Sequence, residues 1–146
     1  MRKINYIVVH CSATREGCTL TSEALEAEHR RRGFHTTGYH YYIRRDGTVL
    51  GTRSLELPGA HCRGHNKYSI GICYEGGLDA RGNPKDTRTP EQRSALHLLV
   101  YQLLQQFRNA RVCGHRDLSP DLDGDGTVEP WEWVKQCPCF EVSKEF

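Results

Sequence analysis

The stretch Val112–Phe140, VCGHRDLSPDLDGDGTVEPWEWVKQCPCF, begins in a short apolar run that ends at His115 and closes just past a cysteine, Cys137. Between them, Asp121 to Glu132 follows the calcium-loop pattern, with acidic residues at its first, third and fifth positions, glycine at the sixth and glutamate at the twelfth. Lys135 stands two residues before Cys137, a cation beside a candidate thiolate. Imidazole and thiolate are zinc donors, and a zinc site draws at least three ligands from its protein. The rest of the chain must therefore supply another donor and a fold that brings it here.

That donor stands near the N-terminus. Asn5–Val9 is short, apolar and rich in β-branched residues, which predicts a buried strand, and it leads directly into His10. Arg111–Gly114 reads the same way and leads into His115. Two such strands laid side by side in one sheet present both histidines at one rim, and Cys137 completes a His, His, Cys set. Three protein ligands leave a fourth position for water, the arrangement of catalytic zinc, which polarises carbonyls and ionises its water near neutral pH. Each donor also has a plainer reading as a buried structural side chain. Cys11 or Cys113 paired with a histidine would instead make a nucleophilic hydrolase.

The 146 residues fit one domain with one sizeable core, 37% apolar and 26% charged as in ordinary globular proteins. A net charge of +2 is no basic excess of the kind a nucleic-acid reader concentrates on one face. The only basic cluster, His29 to Arg32, reads as cations at a helix C-terminus before Gly33. No apolar run reaches membrane-spanning length, and the first residues turn polar too soon for a signal-peptide core, so a cytoplasmic chain is expected. Seven cysteines, an odd number without an export signal, read as mostly reduced, buried apolar residues.

Between the two strands, Thr21 to Arg32 has helical spacing and cap residues. Gly38 to Arg53 gives two aromatic and β-branched arms around Asp46-Gly47, a hairpin whose first arm begins at Tyr39. Leu57 to Lys67 reads as a loop, Ser69 to Tyr74 as a buried strand and Gly76 to Arg88 as another loop. Thr89-Pro-Glu-Gln92 supplies a capping box with proline at the first helical position, and the apolar stripe from Leu96 to Phe107 continues it as a core-packing helix.

Six segments taken together, IVVHCSAT (Ile7–Thr14), GYHYYIRRDGTV (Gly38–Val49), HCRGHNKYSIGICYEGG (His61–Gly77), TPEQRSALHLLVYQLL (Thr89–Leu104), CGHRDLSP (Cys113–Pro120) and KQCPCF (Lys135–Phe140), closely resemble the zinc-dependent N-acetylmuramoyl-L-alanine amidases of the phage-lysozyme type, relatives of the peptidoglycan recognition proteins. The resemblance covers nearly the whole chain. It implies an α/β fold in a single domain spanning 1–146, with a mixed central sheet flanked by helices. It also implies a monomer that hydrolyses the amide joining the lactyl group of N-acetylmuramic acid to L-alanine in peptidoglycan. Carried over position by position, it makes His10, His115 and Cys137 the ligands of Zn²⁺, Tyr39 and Lys135 the catalytic pair, and His61 and Asn66 part of the substrate groove. Such a protein meets the cell wall once the membrane is opened or a dedicated machine exports it. A binding module that does not cut peptidoglycan and a cytoplasmic amidase that recycles wall fragments are the alternatives.

Two departures from that pattern stand out. Cys73 occupies a position where some related amidases carry glutamate, which leaves Tyr39 and Lys135 to do the proton and charge work. The acidic loop at 121–132 inserts a dozen residues between the GHRDLSP and KQC elements, and is expected to bind Ca²⁺ through Asp121, Asp123, Asp125, Glu129, Glu132 and the carbonyl of Thr127.

Overall fold

Ile7, Val8 and Val9 have no solvent exposure, because the strand they belong to, β1 (Tyr6–Cys11), runs between two others and is covered on both faces. The computed structural model describes residues 2–146. In chain order the remaining elements are β2 (Thr14–Arg15), α1 (Ser22–Arg31), β3 (Tyr41–Ile43), β4 (Val49–Gly51), β5 (Ser69–Tyr74), β6 (Gly77–Leu78), α2 (Pro90–Gln106) and β7 (Arg111–Gly114). Five strands form one mixed sheet in the order β4-β3-β5-β1-β7, parallel except for β4, which pairs antiparallel with β3.

Alternation along the strands sorts the helices to opposite faces. Ile7, Val9, Cys11, Ile70, Ile72 and Tyr74 join Leu96, Leu99, Val100 and Leu103 of α2 in the main core. Tyr42 and Cys73 point the other way and pack on Leu25 of α1. Each fully buried Ile or Leu contributes about 1.5–3 kcal/mol, so the α2 face carries most of the stability and leaves the thinner α1 face available for a site. Both helix starts form as the sequence predicts. Thr21 Oγ1 accepts from the Ala24 amide at 3.1 Å, and Thr89 and Gln92 close a reciprocal capping box. Gly47, at φ 88°, makes the predicted hairpin turn.

Several predicted boundaries move. The first strand runs two residues past Val9, so His10 lies within the ladder rather than after it, because β5 continues alongside and pairs Cys73 with His10. The first hairpin arm begins at Tyr41, and Tyr39 sits just before it. The predicted loops contain short structure: a 3₁₀ turn at Asn66–Tyr68, and β6, which pairs with β2 in a small second sheet. His29 is 4% exposed and accepts the Gly38 amide on Nδ1 at 2.7 Å, so it is an internal tie rather than a surface cation.

The segment after Cys137 is strapped to the core. Tyr74 donates its hydroxyl to the Pro138 carbonyl at 2.7 Å, Phe140 and Val142 are buried, and Arg88 pairs with both Asp86 and Glu145 while lying over the Phe140 ring. All seven cysteines are free, and only Cys18 is exposed. Among the described residues, no helix is long and apolar enough to cross a membrane.

Candidate active site

The register of the central strands pairs Val9 with Gly114, so the next residue on each, His10 and His115, come side by side at the same rim. Their ring centroids are 4.6 Å apart. The strap that anchors the C-terminal segment carries Cys137 to them, and one donor atom from each of the three lies within 4.8 Å of the others. The sequence expectation of strand-end histidines converging on a cysteine therefore holds in the geometry.

Two further contacts bear on whether this set suits a metal. The Cys11 amide donates to Cys137 Sγ at 3.2 Å. His10 Nε2 lies 2.9 Å from His61 Nδ1, which leaves Nδ1 as the free nitrogen of a buried ring. Burial, followed by the proximity of His61, His115 and Lys135, holds His10 well below the usual imidazole range. Neutral imidazole and thiolate are the forms that bind metal. Donor identity and spacing thus fit Zn²⁺. Cys139 stands apart from the donors, its Sγ 4.0 Å from Cys11 Sγ, and Cys113 is buried with its thiol pushed up to about 12 by that burial.

Tyr39 and Lys135 line the same cavity as the three donors. The Tyr39 ring sits 5.1 Å from that of His10, and burial, then the neighbouring Cys73, Cys137 and Cys11, raises its phenol well above the ordinary range. Lys135 is exposed and reaches both this cavity and a larger groove of about 1000 Å³ alongside. Arg32, Arg63 and Arg111 also line that groove, with Asp117 as its one acidic side chain. Arg32 was legible only as a helix-end cation, and its place on the groove follows from where α1 lies on the sheet.

His61 and Asn66, expected in the substrate groove, do line it, but their polar atoms are largely committed to the protein. Asn66 Oδ1 accepts the amides of both His61 and Cys62 at 2.9 Å, and His61 Nε2 lies 3.1 Å from Ser69 Oγ.

In the acidic loop, Asp121, Asp123, Glu129 and Glu132 converge within 4.8 Å, while Asp125 does not join them. Asp125 Oδ1 is instead taken by the amide and hydroxyl of Thr127, at 2.9 and 3.1 Å. Glu132 is 3% exposed and accepts amides from Leu122, Asp123 and Glu129, which folds the loop back onto the 3₁₀ turn Pro130–Glu132. Crowding with Asp125 and then Glu132 raises Glu129 to about 7, and its Oε2 is buried without a partner.

The Amidase_2 family, described as N-acetylmuramoyl-L-alanine amidase, matches residues 1–138. An endolysin of Klebsiella phage KP32 is 35% identical over 143 residues, covering 98% of this chain and 85% of the relative. Among solved structures, the N-acetylmuramoyl-L-alanine amidase LysC from Clostridium intestinale URNW superposes with a TM-score of 0.76 at 26% identity, covering 99% of this chain and 82% of that one. The peptidoglycan recognition protein PGRP-SA of Apis mellifera shares the fold, with a TM-score of 0.73 at 22% identity over 99% of this chain and 81% of the other.

Proposed function

This chain belongs to the N-acetylmuramoyl-L-alanine amidase family, and from that premise we propose that it cleaves the amide between the lactyl group of N-acetylmuramic acid and L-alanine in peptidoglycan, with Zn²⁺ held by His10, His115 and Cys137. The observation that carries the reading is the three-donor cluster at the rim of the sheet, with an amide directed at its sulfur. When bound, zinc supplies an ionisable water and an electrophile for the scissile carbonyl.

The chain's own residues do the rest. Lys135, in the same cavity, sets an ammonium against the negative charge that develops on the carbonyl oxygen. Tyr39, kept protonated by burial, donates a hydrogen bond to the reacting oxygen and fixes its direction. The Arg32, Arg63 and Arg111 side chains along the groove suit a peptide stem bearing carboxylates. A module that only binds the wall needs no third donor, so Cys137 favours hydrolysis over recognition alone. We take the wall as the place of action, reached through an opened membrane or by dedicated export, as the similarity to endolysins suggests.

For the loop at 121–132, an insertion within the single domain, we retain Ca²⁺ as a second ion, supported by the four converging carboxylates and the unpartnered Glu129 Oε2. Asp121, Asp123, Glu129 and Glu132 are its side-chain ligands, and Asp125 shapes the turn. The deciding experiment is metal analysis joined to mass spectrometry of digested peptidoglycan. One zinc per chain, new L-alanine N-termini and complete loss of activity on chelation are expected. Cleavage that survives chelation would instead assign the chemistry to a cysteine nucleophile.

A further inference from the structure

We infer that His61 is a positioning residue of the metal site, holding His10 in the tautomer whose Nδ1 is free to bind metal, and that it does not read substrate through its ring. This inference rests on the zinc reading above. A histidine that ligates metal carries its proton on the other nitrogen, and the partner of that proton fixes both tautomer and ring orientation. His10 is 1% exposed, and its Nε2 lies 2.9 Å from His61 Nδ1, the rings meeting edge to face at 86°. One of the two nitrogens must carry the proton. If it is His10 Nε2, His61 Nδ1 accepts, and the proton of His61 sits on Nε2, 3.1 Å from Ser69 Oγ, which has lone pairs to receive it. The Ser69 hydroxyl can donate as well as accept, so the chain Ser69, His61, His10 can run either way, and metal at His10 Nδ1 selects the direction in which His10 Nε2 donates to His61 and His61 Nε2 to Ser69.

The slot that holds His61 is built for it. A Cβ at Gly71 would come within 2.7 Å of the His61 ring, and one at Gly59 within 2.4 Å of its Cδ2, so both strand and loop leave out side chains where the ring lies. Asn66 Oδ1 holds the His61 and Cys62 amides, fixing the backbone from below. Ser69 begins β5 and is fully buried, so the far end of the relay is as rigid as the sheet. With both ring nitrogens engaged, the His61 ring has no polar atom left for a ligand.

The test compares two isosteric replacements, His61→Asn, whose Oδ1 stands where Nδ1 stood, and His61→Leu, which removes the acceptor at equal size. Zinc affinity of the metal-free proteins, measured by competition with a chromophoric chelator, is expected to fall about 10–100-fold for His61→Leu, in the range usual for such partners, and to recover most of that in His61→Asn. Equal affinity of His61→Leu and wild type, or equal loss in both variants, would overturn the inference. If His61→Leu does not fold, imidazole ¹⁵N shifts of metal-free wild type decide, with a proton on His10 Nε2 expected and one on Nδ1 overturning the assignment. A wild type that binds no zinc would refute the zinc reading itself, a result distinguishable from either outcome.

Discussion

Asn66→Ala separates a loop clamp from a substrate contact. The substitution deletes one oxygen that receives two amides, those of His61 and Cys62, each at 2.9 Å, and both residues are buried. Leaving a buried donor unmet costs about 1–3 kcal/mol. Water entering from the groove beside Asn66 relieves part of this, so two donors lose about 2 kcal/mol in total. For a domain of this size that lowers Tm by roughly 4–8 °C. Asn66→Asp keeps an acceptor in the same place and recovers most of the loss. The assay is thermal unfolding of the metal-free protein by far-ultraviolet circular dichroism, alongside KM for peptidoglycan. If Asn66→Ala melts with wild type while KM rises, the side chain reads substrate and the clamp argument fails.

Three further perturbations test the site. His115→Ala or Cys137→Ala should lose both zinc and activity, whereas Lys135→Ala and Tyr39→Phe keep zinc and lower kcat by roughly 10²-fold or more; turnover per bound zinc equal to wild type would make the latter two structural. His40, fully buried and donating or accepting only within the protein, is lowered to about 4 by burial. The unfolded chain therefore takes up its proton first, and stability complete above pH 6.5 drains away as pH falls towards 4, by about 3 kcal/mol for this group. His40→Asn should flatten that part of the Tm profile, and an unchanged slope would refute the assignment. Titrating Ca²⁺ to several millimolar into zinc-loaded, calcium-stripped protein should raise Tm, and Asp123→Ala/Glu132→Ala should not respond; identical curves would leave the loop an ordinary insertion.

How legible each part was depends on the range of the interactions that create it. The strands that deliver His10 and His115 showed themselves because each is a short apolar run followed by a histidine, β1 buried within the sheet and β7 at its edge. Helix α2 was readable from its capping box alone, since Thr89 and Gln92 satisfy each other locally. Strands β2 and β6 have two residues each and no periodicity to detect. His29 was hidden among arginines, and its role exists only because Gly38 returns to it. His61 could be placed in the groove by resemblance, but its partner His10 lies on a distant strand, which no local pattern announces. The acidic loop showed the converse: its pattern was complete, yet Asp125 turned to Thr127 rather than to the other carboxylates.

The central strand sets a clock on the enzyme's own synthesis. Strand β1 precedes both its neighbours, β5 and β7, in synthesis, and Cys137, the last of the proposed zinc donors, follows the second of them. Translation at about 5–20 residues per second separates His10 from Cys137 by on the order of ten seconds, during which β1 gains first β5 and then β7 while the cleft lacks its sulfur. On the zinc reading proposed above, the donor set is complete only when Cys137 has followed the closing of the sheet by β7.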